Sequence, residues 1–339
     1  MKRKLTAMLI AICMMVFGLA ACGGSAEEND ANGTADATAI TFVLDWTPNT
    51  NHTGIYVADA LGYFDEAGLK VEIVQPPDDG AEAMVASGQA QFGVSFQDYL
   101  VPALAGPEKT MPITAVAAIL QHNISGIMSA KEKGIDSPKK MEGHSYATWE
   151  LPIEQAIIKR CVEAEGGDFS SIEMLPETID DEVTALKSDQ VDCIWVYYGW
   201  AGINAEIKDF AINYFAFKDI DPAFDYYSPV IIANDAFLAD NPDTAKAFLA
   251  AVAKGYEYAI ENPEEAAEIL IDANPEIDAD LVKASQNYLA DQYQAEAAQW
   301  GVFDAERWNG FYEFINKEGL AEQEIPMDVG FTNDYLPEK

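Results

Sequence analysis

The chain has 339 residues, 49% of them hydrophobic, and a formal net charge of −37 from 20 lysines and arginines against 57 aspartates and glutamates. This length favours two lobes over a single core, and the hydrophobic content predicts a folded protein. So negative a field repels nucleic acid and anionic membrane surfaces, so we expect neither as a binding partner. The acidity itself indicates a well-solvated surface and identifies no ligand.

The N-terminal segment has the features of a bacterial lipoprotein leader. Residues 2–4 are basic, and residues 5–17 form an apolar run that is too short to span a bilayer. The sequence LAACG that follows resembles the lipobox, in which the cysteine, here Cys22, carries a diacylglyceryl group. We therefore predict a signal peptide over 1–21 and a lipid anchor at Cys22; the alternative is a plain secretory signal that contains a cysteine. Residues 22–39 are small, polar and acidic, which predicts a flexible tether.

After residue 40, strand and helix patterns alternate in chain order. The predicted strands and extended runs are 40–46, 70–77, 92–96, 114–121, 125–130, 144–149, 171–177, 191–198 and 229–235. The predicted helices are 53–68, 80–89, 97–106, 152–166, 180–189 and 199–210, followed by a helical C-terminal part over 241–262, 262–274, 278–294 and 304–319. This alternation with continuous apolar strands predicts an α/β fold with mostly parallel sheets.

Two segments of the chain resemble each other. Residues 83–97 and 184–198 align without gaps, each with a helix that ends in a polar turn and leads into a hydrophobic strand. The similarity suggests two lobes built from one supersecondary unit. Ligands of open α/β sheets lie beyond the carboxyl ends of the strands, so two such lobes would form the walls of one cleft.

Aromatic, amide and carboxylate side chains follow nearly every predicted strand, whereas lysine and arginine do not. The candidate ligand-binding residues are Trp46, Asn49, His52, Gln97, Asp98, Gln121, His122, Trp149, Glu150, Glu154, Tyr197, Tyr198, Trp200 and Tyr226. A phosphate, sulfonate or nitrate site would use basic side chains or a glycine-rich nest. The observed set suits a flat, neutral or weakly basic heteroaromatic ligand, stacked on aromatic faces and hydrogen-bonded at its edge.

Structural roles stay open for several of these residues. Glu154 is the third residue of a helix opened by Pro152, where a carboxylate stabilises the helix dipole without any ligand. His122 could be a structural histidine, Tyr226 could pack at a hinge, and the strand residue Trp195 is expected in the core. Trp46, Asn49 and Trp149 are the strongest candidates, because an exposed aromatic beside a loop amide has little structural purpose.

Cysteine usage points to no metal site. Once Cys22 is lipidated and the signal is removed, Cys161 and Cys193 remain in the folded part. We expect two buried free thiols, although the sequence leaves a disulfide between them open. Zinc-type spacing is absent from the sequence, so we predict no metal site.

Six segments carry a resemblance to a known family: LDWTPNTNHTGIYVA, GYFDEAGLKVEIV, FGVSFQD, AAILQHNISGI, WELPIEQA and VYYGW. They resemble the solute-binding lipoproteins of ABC importers in the thiamine-pyrimidine-synthase-like family, over about residues 40–320. The resemblance implies a two-lobed type II periplasmic-binding fold with a hinged interlobe cleft. Lobe 1 would comprise 40–125 plus 229–339, and lobe 2 would comprise 126–228.

The implied function is capture of a thiamine pyrimidine precursor, such as formylaminopyrimidine, for an ABC permease and ATPase. We expect a monomer that is lipid-anchored outside the cytoplasm. One departure bears on the ligand, because many relatives carry an acidic residue where this chain has Ala201. Glu150 or Asp98 could substitute for it, or the ligand could differ.

Three alternatives stay open: a riboflavin-binding importer component, a surface receptor that signals without transport, and a pyrimidine-synthase-like enzyme. The enzymes of this fold carry a cysteine-rich iron motif, whereas Cys193 stands alone here, and the WTPNTNH turn has no lysine to hold pyridoxal phosphate. We therefore expect a binding protein without a cofactor.

Overall fold

Two five-stranded sheets organise the protein in the computed structural model, which describes residues 37–105 and 109–338. The first sheet has the order β2-β1-β3-β10-β4 and the second has the order β7-β6-β8-β5-β9. The strands are β1 Thr38–Val43, β2 Leu69–Val74, β3 Phe92–Ser95, β4 Ile113–Ala118, β5 Ser125–Ala130, β6 Ser145–Ala147, β7 Glu173–Leu175, β8 Cys193–Tyr197, β9 Ile212–Ala216 and β10 Val230–Asn234.

The two sheets have the same mixed topology. In the first, β1 pairs in parallel with β2 and β3, whereas β10 lies antiparallel between β3 and β4. In the second, β6 pairs in parallel with β7 and β8, whereas β5 lies antiparallel between β8 and β9. The prediction of mostly parallel sheets is therefore wrong for half of the pairings. The reason is that the chain reaches β5 and β10 directly after leaving the other sheet. A strand reached in this way does not need the crossover helix that joins parallel neighbours.

The chain passes between the sheets twice. Strands of the first sheet lie within 38–118 and 230–234, and those of the second lie within 125–216. The two similar sequence segments end in β3 and β8, which are both the third strand of their sheets. The division into two hinged lobes stays a prediction.

Twelve α-helices lie in the part of the chain that the structure describes. They are α1 Thr53–Ala60, α2 Tyr63–Glu66, α3 Gly80–Ala86, α4 Val101–Leu104, α5 Pro152–Ala164, α6 Glu182–Lys187, α7 Ile203–Ile207, α8 Asp235–Asp240, α9 Pro242–Glu261, α10 Pro263–Ala273, α11 Ala279–Tyr293 and α12 Ala305–Glu318. The predicted helix 53–68 is divided into α1 and α2 at Gly62, whose φ of 76° a helix does not accommodate. The helical C-terminal part is confirmed. The strand β9 had no predicted counterpart.

The predictions for the N-terminal segment fall mostly outside the described residues. The signal peptide and the lipidated Cys22 lie there, as does most of the tether. Thr38 and Ala39 are not part of a tether, because they pair with Leu69 and Lys70 at the start of β1. Cys161 and Cys193 are free and buried, as predicted. Across 37–105 and 109–338, no helix is both long and apolar enough to cross a bilayer.

Candidate functional site

A cavity of about 550 Å³ lies where segments from both sheets meet. Its lining residues are Asp79, Glu82, Ala83, Asp98, Tyr99, Val101, Pro102, Met111, Trp149, Leu151, Pro152, Ile153, Glu154, Trp195, Tyr197 and Leu320. Residues 98–102 lie shortly after β3 of the first sheet. Residues 149–154 follow β6 of the second sheet, and Trp195 and Tyr197 belong to β8. The cavity therefore has one wall from each sheet, at the ends of strands where α/β proteins bind ligands.

Four aromatic side chains dominate the apolar part of the lining: Tyr99, Trp149, Trp195 and Tyr197. Trp149 is 44% exposed, and its ring centroid lies 5.8 Å from that of Trp195. The ring centroid of Tyr197 lies 5.9 Å from that of Phe96, which follows β3, and the two ring planes are 24° apart. These rings are spaced and tilted as aromatic contacts usually are. Trp149 and Tyr99, which are 44% and 49% exposed, leave apolar surface available to a flat ligand.

Two carboxylates on the first-sheet side lie in an unfavourable environment for charge. Burial raises the pKa of Asp98 to about 7, and the charge of Glu82 acts in the same direction. Burial also raises the pKa of Glu82, although the Ser95 hydroxyl donates a hydrogen bond of 2.5 Å to it. Among the described residues, Asp98 Oδ1 is buried and has no hydrogen-bond partner. Perturbed carboxyl groups of this kind are typical of functional sites.

Glu154 lies on the opposite wall and is fully hydrogen-bonded within the protein. Its carboxylate accepts hydrogen bonds from the Tyr146 hydroxyl, the Thr148 hydroxyl and the backbone N–H groups of Trp149 and Leu151, at 2.6 to 3.2 Å. Because it is the third residue of α5, it satisfies N–H groups at the helix start. Its role in the structure is to fix the loop that carries Trp149.

The turn after β1 uses its polar side chains internally. Asn49 Oδ1 accepts the Asn51 N–H at 2.9 Å, which caps the 3-10 turn Thr50–His52. His52 is fully buried; its Nδ1 accepts the Asn49 N–H at 3.1 Å, so Nε2 donates to Asp45 at 2.6 Å. Ligand contacts by Asn49 and His52 would therefore require this turn to rearrange.

Trp46 is exposed to solvent. It is 51% exposed and is not among the lining residues. Burial is the main cause of the raised pKa of Tyr197, and the negative charges of Asp98 and of Asp45, the neighbour of Trp46, raise it further. The predicted stacking of Trp46 on a ligand stays a prediction.

Two predicted amides serve to join elements of the first sheet to the C-terminal part. Gln97 is fully buried; its side chain donates to the Trp308 carbonyl at 2.8 Å and accepts from the Tyr227 N–H at 2.9 Å. Gln121 donates to the Val302 carbonyl at 3.0 Å. Both side chains bond inside the protein, and neither is among the lining residues of the cavity.

The other predicted residues lie away from the cavity lining. His122 bonds Asp225 at 2.7 Å and Glu296 at 2.9 Å, and these hydrogen bonds raise its pKa. Glu150 is exposed, and Tyr198 packs beside Tyr214 and Tyr288. Trp200 packs on a small cluster around Leu270, and the buried Tyr226 packs against Phe311. Of the fourteen predicted residues, the structure places Asp98, Trp149, Glu154 and Tyr197 in the lining.

Sequence reasoning missed several lining residues. Tyr99 directly follows the predicted pair Gln97 and Asp98, so the strand-end argument could have included it. Trp195 was assigned to the core from its position inside a strand, yet it both packs on Phe217 and lines the cavity. Glu82 lies on α3 and Leu320 follows α12, and neither carries a local signal.

The architecture places the protein in a structural class. It superposes on the periplasmic aliphatic sulphonate-binding protein of Escherichia coli with a TM-score of 0.66 at 14% identity, over 85% of this chain and 89% of that one. The two-sheet α/β structure with one cavity wall from each sheet is therefore the periplasmic-binding-protein fold.

The sequence then identifies the family. Residues 49–266 match the family described as NMT1/THI5 like, so the chain belongs to the NMT1/THI5-like family. It is 27% identical to the formylaminopyrimidine-binding protein of Halalkalibacterium halodurans, over 96% of this chain and 98% of the relative. It is also 28% identical to the 4-amino-5-hydroxymethyl-2-methylpyrimidine phosphate synthase of Legionella pneumophila, over 88% of this chain and 92% of the relative.

Proposed function

We propose that this protein is the extracytoplasmic solute-binding component of an ABC importer and captures a thiamine pyrimidine precursor such as formylaminopyrimidine. The observation that carries the proposal is the cavity of about 550 Å³, with aromatic rings and carboxylates from the strand ends of both sheets. Its volume lies within the range of roughly 300–1,000 Å³ that is usual for small-molecule sites.

The chemistry of the lining supports a nitrogen heterocycle. Tyr99, Trp149 and Tyr197 offer faces on which a ring can stack, and Asp98 offers a carboxyl group for ring or amino nitrogen. Ala201 is buried in an apolar cluster with Val196, so the acidic groups of this cavity come from other positions. Lysine, arginine and histidine are absent from the lining residues, which argues against a sulfonate ligand despite the shared fold.

The lobes, the anchor and the partners belong to the same proposal. Ligand would draw lobe 1 and lobe 2 together across the cavity by shifting an open–closed equilibrium. Lipid at Cys22 would hold the monomer at the outer face of the cell membrane, beside a permease and its ATPase. The tether from residue 22 to the start of β1 would let the protein reach that permease.

The alternative function is catalysis, because synthases occur among the relatives. The side chains that line the cavity include no lysine, histidine, serine or cysteine, the groups that most often serve in nucleophilic catalysis. Cys193 is buried, and burial raises its thiol pKa far above the usual value. These features favour a binding protein.

Calorimetric titration with formylaminopyrimidine tests the proposal. We expect saturable binding of one molecule per chain, with the pyrimidine recovered unchanged. Thermal melting gives an independent reading, since ligand at 100-fold its Kd should add about 2.7 kcal/mol of apparent stability. Absence of binding to formylaminopyrimidine, riboflavin and related pyrimidines would reject this function.

A further inference from the structure

The cavity contains two buried polar atoms that lack a partner, one on each wall. On the first-sheet wall, Asp98 Oδ1 is buried and accepts no hydrogen bond from any described residue. On the second-sheet wall, the indole N–H of Trp195 is equally without a partner, and this side chain is only 5% exposed. Buried polar groups are normally paired, so two unpaired atoms in the lining of one cavity indicate groups that a ligand completes.

The charges of the lining have a single sign. Its ionisable carboxyl groups are Asp79, Glu82, Asp98 and Glu154, and the cationic side chains lysine and arginine are missing from the lining residues. A carboxylate that is buried without a cation is costly, and Glu154 avoids that cost through four hydrogen bonds. Asp98 and Glu82 are not compensated to the same extent.

The aromatic rings strengthen this electrostatic bias. The faces of Trp and Tyr rings carry negative potential and attract cations that lie within about 6 Å of the ring centre. The rings of Trp149, Trp195 and Tyr197, on the wall opposite Asp98, therefore favour a positively charged ligand. Aromatic faces are a known arrangement for binding organic ammonium ions, and the negative charge of the nearby carboxyl groups acts in the same direction.

We infer that the ligand is held in this cavity as an organic monocation with a flat face, a protonated or quaternary nitrogen heterocycle, whose charge is balanced by Asp98 and Glu82. An acceptor on the same ligand would take the Trp195 indole N–H. The inference rests on the proposed function and adds the charge state of the ligand.

Two probes of nearly equal shape test the charge requirement at pH 8. 1-Methylquinolinium carries a permanent positive charge, and 4-methylquinoline is uncharged at that pH. We expect calorimetric titration to show that the protein binds the cation at least about tenfold more tightly than the neutral compound. Equal affinities, tighter binding of the neutral probe, or no binding of the cation would overturn the inference.

Isosteric variants separate this site from the general negative field of the protein. Asp98→Asn and Glu82→Gln should each reduce about tenfold the ratio of the affinity for the cation to the affinity for 4-methylquinoline. Asp272→Asn removes the same charge from an exposed position on α10 and should keep the preference. An equal loss in Asp272→Asn would show that the field of the whole protein, and not the cavity, selects the cation.

Failure of the inference can be told apart from failure of the proposed function. Saturable binding of formylaminopyrimidine with no preference for the cationic probe would leave the proposed function intact and remove the inference. A cation preference without binding of any pyrimidine would retain the inference as a property of the cavity and reject the proposed ligand class.

Discussion

Replacing Trp149 by alanine should weaken ligand binding. Trp149 is 44% exposed, which leaves about 110 Å² of the roughly 250 Å² that a tryptophan can bury. If a ligand covers half of that area, the hydrophobic contribution is about 1.4 kcal/mol at 25 cal/mol per Å². Ring stacking adds about 0.5–1.5 kcal/mol, so the expected loss is about 2 kcal/mol. This corresponds to roughly thirtyfold in Kd.

The assay is calorimetric titration of formylaminopyrimidine beside thermal melting, for Trp149→Ala and for Trp46→Ala. The two tryptophans are similarly exposed, but only Trp149 is among the lining residues of the cavity. We expect the larger loss of affinity in Trp149→Ala, measured at a temperature at which melting shows both variants to be folded. Normal binding by Trp149→Ala together with a large loss in Trp46→Ala would move the site to the turn after β1 and refute the assignment of the cavity.

Three further predictions concern charge and anchoring. Asp98→Asn should raise the melting temperature of the ligand-free protein at pH 8, because the folded state raises the pKa of Asp98 from 3.8 to about 7 and ionisation then opposes folding. The gain should disappear as the pH falls towards 4; a gain that does not depend on pH would point to another cause. His122→Ala should cost more stability at pH 6 than at pH 9, because the hydrogen bond to Asp225 raises the pKa of His122 above 6.5 and its stabilisation is lost as the pH rises through the folded value; melting at the two pH values measures this, and equal losses would contradict it. Cys22→Ala should release soluble protein or leave an unprocessed precursor, as fractionation and the N-terminal sequence would show; unchanged membrane retention with an unchanged N-terminus would argue against lipidation.

Most elements of the fold could be predicted because strand and helix periodicities are local. The strand β5 was placed with its observed bounds, and α5 and the C-terminal helices were recognised from their apolar spacing. The strand β9 was missed because Asn213 interrupts its apolar pattern. The structure buries this amide by hydrogen bonds to Ser129 and to the carbonyls of Ala130 and Lys131, a compensation that only the folded pairing supplies.

The cavity lining was predictable where a residue lies at or shortly after the end of a strand. Asp98, Trp149 and Tyr197 were found in this way, because the ends of strands are also the edges of a cleft. The same rule selected His52 and Gln97, whose side chains instead bond within the turn and to the C-terminal part. Strand-end position thus identifies a region of the fold, while the direction of each side chain depends on partners far away in the sequence.

The crystal structure of the protein with bound formylaminopyrimidine tests the central claim most directly. The account predicts one pyrimidine in the cavity of about 550 Å³, in contact with Tyr99 or Asp98 on the first-sheet wall and with Trp149 or Tyr197 on the second. A pyrimidine bound to residues of one sheet only would contradict it. So would a ligand in the similarly large cavity of about 600 Å³ beside Lys218 and Arg307.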